Sequence, residues 1–238
     1  MRRLSALMAA LTLVLAGASL SVGSAWAENA PNGYLCCVNE SATDPDGDGW
    51  GWENSRSCVV RGGPADGNAT TACPSGMRCG SYSIGGLGTR KQQVRNAGGN
   101  VLDLAVAMLE TERMDTNYPY GDNKRDDAAN FGIFKQNWYM LRSKCDRFRN
   151  QSTGEWNNGA SLNSNLSADI SCLHQSQNSN GMNTWFGGHR NGQTGINNPN
   201  TGDINGYKAA VYRIRDQLNR NSSNLSNDIR FWVDVRPI

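Results

Sequence analysis

The placement of the cysteines constrains this fold more than any other feature. Five of the seven sit early, at Cys36, Cys37, Cys58, Cys73 and Cys79, and two sit late, at Cys145 and Cys172. Ahead of them the chain opens MRRLSALMAALTLVLAGASLSVGSAWA, in which two arginines precede an apolar stretch and Ala25-Trp26-Ala27 supplies a small-x-small triplet. That order reads as a secretory signal over residues 1–27, too short for a membrane-spanning helix. Exported chains oxidise their cysteines, so the uneven spread predicts two folding units. The first is small and buries little apolar area, so it needs covalent staples. Two bridges are expected in the early group, with one cysteine left over because five is odd. A Cys145–Cys172 bridge is expected in the larger unit. Spacing does not give the early connectivity.

Loss of the leader removes Arg2 and Arg3 and leaves basic and acidic residues equal in number. Such a balance provides no long-range field toward nucleic acid or anionic membrane, and suits an uncharged partner. No later run is long and apolar enough to cross a bilayer. The expected product is a secreted, extracellular, soluble monomer. The hydrophobic fraction is only 38%, which points to long polar loops around a modest core.

Residues 34–80 are rich in glycine and cysteine, lack a helical period, and alternate short strand-like pieces with turns such as DPDGDG and RGGPADG. They read as a small all-β module. Residues 81–99 read as a join, and residues 100–238 as a mainly helical unit with a hairpin, so that the whole is an α+β chain. A helical pattern begins near Asn100 and continues VLDLAVAMLETERM; further helices are expected at roughly 131–144, 166–176 and 207–219.

In the small module Trp50 and Trp52 are two apart, so on a strand both indoles share a face. Flat aromatic surfaces so arranged stack on pyranose rings; the alternative is a core tryptophan pair. Asp44, Asp46 and Asp48 have the opening spacing of a calcium loop, but Ser55 stands where that loop needs a bidentate glutamate, and turn formation explains the three aspartates equally well. With GWGWEN followed by a cysteine, the module resembles the family-10 carbohydrate-binding modules. The resemblance implies a cellulose- or cell-wall-facing platform of Trp50 and Trp52, with Tyr34.

The larger unit holds six carboxylates within twenty residues: Glu110, Glu112, Asp115, Asp122, Asp126 and Asp127. The helix leading to Glu110 is apolar almost all round and is therefore buried. Low polarity and the negative end of the helix dipole both disfavour an ionised carboxylate at its end, which is the condition a general acid needs. Glu112 lies roughly 200° farther round the helix and cannot share a cleft with Glu110. Asp122 follows the Pro119–Gly121 turn, while Asp126 and Asp127 follow Lys124 and Arg125 in a charged tip. Spacing favours Asp122 over Asp127 only slightly.

A buried helix ending in glutamate, followed by NFGIFKQNW, resembles the lysozyme superfamily. Asn130 occupies the position where retaining lysozymes keep an aspartate, and an amide cannot be their carboxylate nucleophile. Together with YPYGDNK and WFGGHRNGQTG, these motifs resemble glycoside hydrolase family 134, the β-1,4-mannanases with a lysozyme-like fold. The resemblance implies Glu110 as general acid and Asp122 as general base of an inverting endo-β-1,4-mannanase, in keeping with the amide at position 130. Lys124, Asn130, Gln136, Trp138, Trp185 and His189 are then candidate mannan contacts, with core packing a standing alternative for Trp138. WFGGHRNGQTG reads as a Gly-rich loop, and His174 as structural. No His/Asp cluster has metal-ligand spacing and no phosphate loop is present, so neither metal nor cofactor is expected. Rival readings are a chitosanase or peptidoglycan hydrolase on the same scaffold, or a polysaccharide binder without catalysis.

Overall fold

The computed structural model describes Cys37, Trp50–Glu53, Arg56–Val59 and residues 73–235. Residues 1–27, Tyr34, Cys36 and the Asp44–Asp46–Asp48 turn lie outside them, as do the side chains of Trp50 and Arg56.

In the first unit, β1 (Trp50–Glu53) and β2 (Arg56–Val59) form an antiparallel hairpin in which Trp50 faces Val59 and Glu53 faces Arg56. An isolated hairpin is marginal in water. Here a third segment is tied to it twice: the Cys37 amide donates to the Val59 carbonyl at 2.8 Å, and Cys37 is disulfide-bonded to Cys58.

The larger unit begins earlier than its composition suggests. β3 (Cys79–Ser83) pairs antiparallel with β6 (Ile229–Val233), so the two ends of this unit close on one another. The Cys73–Cys79 bridge reaches the start of β3 and therefore belongs to this unit rather than to a module running to residue 80. Nor is 81–99 a join. It contains α1 (Leu87–Asn96), whose Leu87 and Val94 enter the main core. The glycines that suggested a linker instead bound this helix, with Gly86 before it at φ 85° and Gly98 after it at φ 101°, conformations that glycine adopts without steric cost. Lys91 is buried and donates to the carbonyls of Asn224, Asn227 and Ile229 at 2.7, 2.9 and 2.7 Å, tying α1 to the approach to β6.

α2 (Val101–Glu110) starts where expected. The Asn100 side chain accepts from the Asp103 amide and the Asp103 carboxylate accepts from the Asn100 amide, a reciprocal cap. Its apolar circumference is buried from Leu104 through Met108, chiefly against α6 (Gly202–Asn219). The 131–144 region is not one helix. β4 (Asn130–Phe131) and β5 (Gln136–Asn137) form a small hairpin, and only then does α3 (Trp138–Lys144) begin. Positive φ at Gly132 (74°) and Lys135 (48°) turns the chain between the strands.

α4 (Leu166–Asn180) and α5 (Met182–Asn197) complete the unit, and the expected Cys145–Cys172 bridge joins the end of α3 to α4. That bridge sits in a second core with Phe131, Trp138, Leu141, Phe148 and Leu162. The whole is α+β, mainly helical, with three two-stranded sheets among the described residues.

Candidate active site

α2 ends abruptly because Thr111 is extended, and Glu110 is left at the wall of a cleft of about 690 Å³. Arg230 of β6 donates to the Met108 carbonyl at 2.7 Å and to that of Glu112 at 3.1 Å, placing a cation against the carbonyl end of the helix. The Glu110 carboxyl meets a phenol and an imidazole. The Tyr207 hydroxyl of α6 donates to Oε1, and His189 Nε2 of α5 lies 3.4 Å from the same oxygen. Glu112 instead points outside, where it accepts from the Tyr82 hydroxyl at 3.1 Å.

The facing wall is built differently. Gly121, Asp122 and Asn123 adopt left-handed backbone in succession, with φ of 61°, 59° and 58°. Gly, Asp and Asn are the residue types that tolerate that region. Gly121 is buried against Trp156, and the Asp122 amide donates to the Pro119 carbonyl at 2.8 Å, so the turn is closed and anchored. It presents the Asp122 carboxylate to the 130–137 hairpin. Lys135 Nζ lies 2.9 Å from Oδ1, and Asn130 Nδ2 donates to Oδ2 at 3.1 Å. Each oxygen keeps a lone pair open, since a carboxylate accepts about four hydrogen bonds in all.

Asp127 also lines the cleft, but the Arg142 guanidinium forks onto both its oxygens at 2.6 and 2.7 Å. That hydrogen-bonded pairing holds its carboxyl below the usual aspartate range. The geometry thus separates two aspartates that spacing nearly tied.

Of the other sequence candidates, Lys124, Asn130 and His189 line the cleft together with Glu110 and Asp122. Gln136, Trp138 and Trp185 do not. Gln136 is buried and donates to the carbonyl and carboxylate of Asp169. Burial pushes the Asp169 carboxyl up to about 7, although Gln136 and the Ile133 amide both donate to it. Trp138 is buried, edge-on to Phe148, with its indole N–H on the Ser152 carbonyl at 3.0 Å. Trp185 is buried too, stacked beneath His189 at 4.9 Å between centroids, so it supports the cleft wall without reaching the cleft. A tryptophan's sequence neighbours do not distinguish a sugar platform from a core wedge; here the core claims both.

His189 lies on α5 rather than in a loop. The glycines around it serve close approach: a Cβ on Gly187 would stand 2.3 Å from the Gly195 carbonyl oxygen, and one on Gly188 would stand 2.6 Å from Met140 Sδ. Residues missed by sequence reasoning include Lys135, Tyr139, Gln193 and Tyr207. Tyr207 lies in α6, which was expected at 207–219 and begins earlier, at Gly202, but nothing local signals that its hydroxyl meets a glutamate 97 positions away.

In the first unit Trp52 is 65% exposed, as a platform residue would be, while Tyr34 and the Trp50 side chain lie outside the described residues.

Two carboxylates facing one groove, one beside a phenol and an imidazole and one beside a lysine, match the carboxyl pair of a glycoside hydrolase. Sequence comparison is specific on this point: the family described as Glycosyl hydrolase family 134 matches residues 88–235, and the chain belongs to that family, whose fold is lysozyme-like. A family described as a cellulose or protein binding domain, the family-10 carbohydrate-binding module, matches residues 27–60. The chain is 70% identical over 44 residues to a mannan endo-1,4-β-mannosidase of Streptomyces lividans, a stretch covering 18% of this chain and 12% of that protein. It is 64% identical over 31 residues to a mannan endo-1,4-β-mannosidase of Cellvibrio japonicus (strain Ueda107), covering 13% and 7% respectively. These matched stretches are thus a small part of both relatives. Among the described residues no helix is long and apolar enough to cross a membrane.

Proposed function

We propose that the protein is a secreted endo-β-1,4-mannanase that hydrolyses mannan with inversion of configuration. The observation that carries this reading is the convergence of Glu110 and Asp122 on one cleft from separate elements with unlike surroundings. The family match and the names of the two relatives support mannan as the substrate.

In the proposed reaction Glu110 gives its proton to the departing glycosidic oxygen as the C1–O bond breaks. A water attacks C1 from the opposite face, and Asp122 takes the proton that this water loses. The new C1–O bond forms with the α configuration. Inverting pairs stand roughly 6.5–9.5 Å apart to hold such a water. Asn130, at the position of the retaining nucleophile, donates to Asp122 and so positions the base. Lys124 and His189 are the cleft residues assigned to sugar hydroxyls. The N-terminal module is assigned to cellulose or plant cell wall, with Trp52 as its exposed anchor and Trp50 and Tyr34 as companions.

Mannohexaose hydrolysis followed by NMR tests the chemistry. Wild type should release the α-anomer first, and Glu110→Gln and Asp122→Asn should each lose about 10²- to 10⁴-fold in kcat. First release of the β-anomer would mean retention and defeat the assignment. Equal activity on chitosan or peptidoglycan would point to the rival hydrolases, and tight mannan binding without cleavage to a binder. Trp52→Ala should weaken retention on cellulose while leaving mannohexaose cleavage intact; unchanged retention removes the platform.

A further inference from the structure

We infer that Tyr207 is a positioning residue for the proton donor: its hydroxyl holds Oε1 of Glu110, leaving Oε2 to carry the proton into the glycosidic bond. The inference rests on Glu110 being the general acid.

Tyr207 is 2% exposed and sits on the first turns of α6, the helix against which α2 is packed. Burial first, and then the neighbouring Glu110 charge, raise its phenol well above the ordinary tyrosine range, so the oxygen keeps its hydrogen and acts only as a donor here. The ring is fixed from several sides. Phe186 meets it edge-on at 6.2 Å, and the Arg190 guanidinium lies over it at 5.4 Å. Arg190 is itself held by a fork onto Asp203 at 3.0 and 2.9 Å. His189, stacked on Trp185, approaches the same Oε1 at 3.4 Å. Two groups therefore converge on one oxygen, and among the described residues no protein group is hydrogen-bonded to Oε2.

The consequence is chemical. As Glu110 releases its Oε2 proton to the leaving oxygen, the electron pair left behind is shared with Oε1. A donor already aimed at Oε1 gains strength as that charge develops, so it contributes more in the transition state than in the ground state. Of the other titratable or charged groups, Tyr118 interacts with this carboxyl, Asp122, Lys124, Asp127, Lys135 and Tyr139 share its cleft, and Arg230 is engaged with the carbonyls of Met108 and Glu112.

Tyr207→Phe keeps the packing ring and removes only the oxygen. The full-length variant is compared with wild type on mannohexaose and on 2,4-dinitrophenyl β-mannotrioside, whose leaving group departs without a proton, with a thermal melt as the folding control. On mannohexaose kcat should fall about ten- to a hundredfold, KM should hardly change, and the alkaline limb of the pH profile should move to higher pH. On the activated substrate most of the loss should vanish. Equal losses on both substrates, or no loss on either, would overturn the inference. Should the melt show that the ring variant does not fold, 3-fluorotyrosine at position 207 keeps the oxygen and makes it a stronger donor. The alkaline limb should then move to lower pH, and an unmoved limb overturns the role. Glu110→Gln on the same two substrates separates the layers. Rescue of Glu110→Gln by the activated leaving group without rescue of Tyr207→Phe defeats the positioning role alone. Absence of rescue for Glu110→Gln defeats the general-acid reading, and the inference with it.

Discussion

The two walls of the cleft reach a carboxylate by opposite routes. On the Glu110 side a regular helix, apolar almost all round, delivers the side chain at its last residue, and the partners are a phenol and an imidazole. On the Asp122 side there is almost no regular structure: three consecutive left-handed residues aim the carboxylate at a lysine and an amide from a short hairpin. Left-handed residues other than glycine cost of order 1 kcal/mol or more each and persist where the surroundings over-determine them. Here the surroundings are Trp156 against Gly121 and the Pro119 carbonyl on the Asp122 amide. In the proposed reaction the contrast is one of role: the wall assigned to the proton donor is a helix end with a phenol and an imidazole, and the wall assigned to the base keeps a cation within reach.

The largest effect that would break this contrast is at Lys135. Its Nζ lies 2.9 Å from Asp122 and 4.9 Å from the Tyr118 ring centroid, and both ionic side chains are mostly shielded. A hydrogen bond to a charged group contributes about 1.5–3 kcal/mol. Lys135→Met should therefore lower kcat on mannohexaose by about ten- to a hundredfold. KM should hardly change. A kcat equal to wild type would mean that the second wall does not depend on its cation.

The next effect is smaller and concerns stability. Gly121 has φ 61°, and a Cβ there would lie 3.1 Å from the Trp156 ring. Gly121→Ala should cost about 1–2 kcal/mol from the left-handed backbone alone, seen as a lower melting temperature. α2, whose residues carry no positive φ, has no comparable position. A Gly121→Ala variant as stable as wild type would show that the turn is not strained as described.

The same asymmetry explains what could be read from sequence. α2 was legible because its determinants are local: Asn100 and Asp103 cap it, and an unbroken apolar run commits it to the core. Glu110 follows from that run. Asp122 was legible as a turn residue, but its separation from Asp127 depended on Arg142 and Lys135, which arrive through the hairpin and α3. Tyr207 arrives from α6 and is invisible locally. α5 and α1 were read as loop and join because glycine signals either a bend or a close contact, and the sequence does not say which. At Gly187 and Gly188 it is contact. Trp138, for which core packing stood as an alternative, and Trp185 are ambiguous in sequence for a related reason: an indole suits a sugar face and a core equally, and burial depends on helices distant in the chain.

The smallest effect lies at the far end of α2 from Glu110. Asp103, fully buried, accepts from the Asn100 amide at 2.8 Å and from His174 Nε2 at 2.7 Å. The hydrogen bond to Asp103 raises the imidazole above its ordinary value of 6.5, against the opposing effect of burial. A group whose folded-state value is raised binds its proton more tightly in the native chain. The stabilisation is thus complete below about pH 6.5 and is lost as the pH rises through the folded-state value. His174 is partly exposed, so after solvent screening the contribution is about 1 kcal/mol or less. The melting temperature of His174→Gln should fall below wild type by a few degrees at pH 5, roughly the shift that 1 kcal/mol produces in a domain of this size. The gap should close on going to alkaline pH. Because Asp103 anchors the start of α2 and Glu110 ends it, the cap also bears on how firmly the helix that carries Glu110 is held. A gap independent of pH would mean that His174 acts by packing alone, leaving the Asp103 cap to hold the start of α2 without help from an imidazolium.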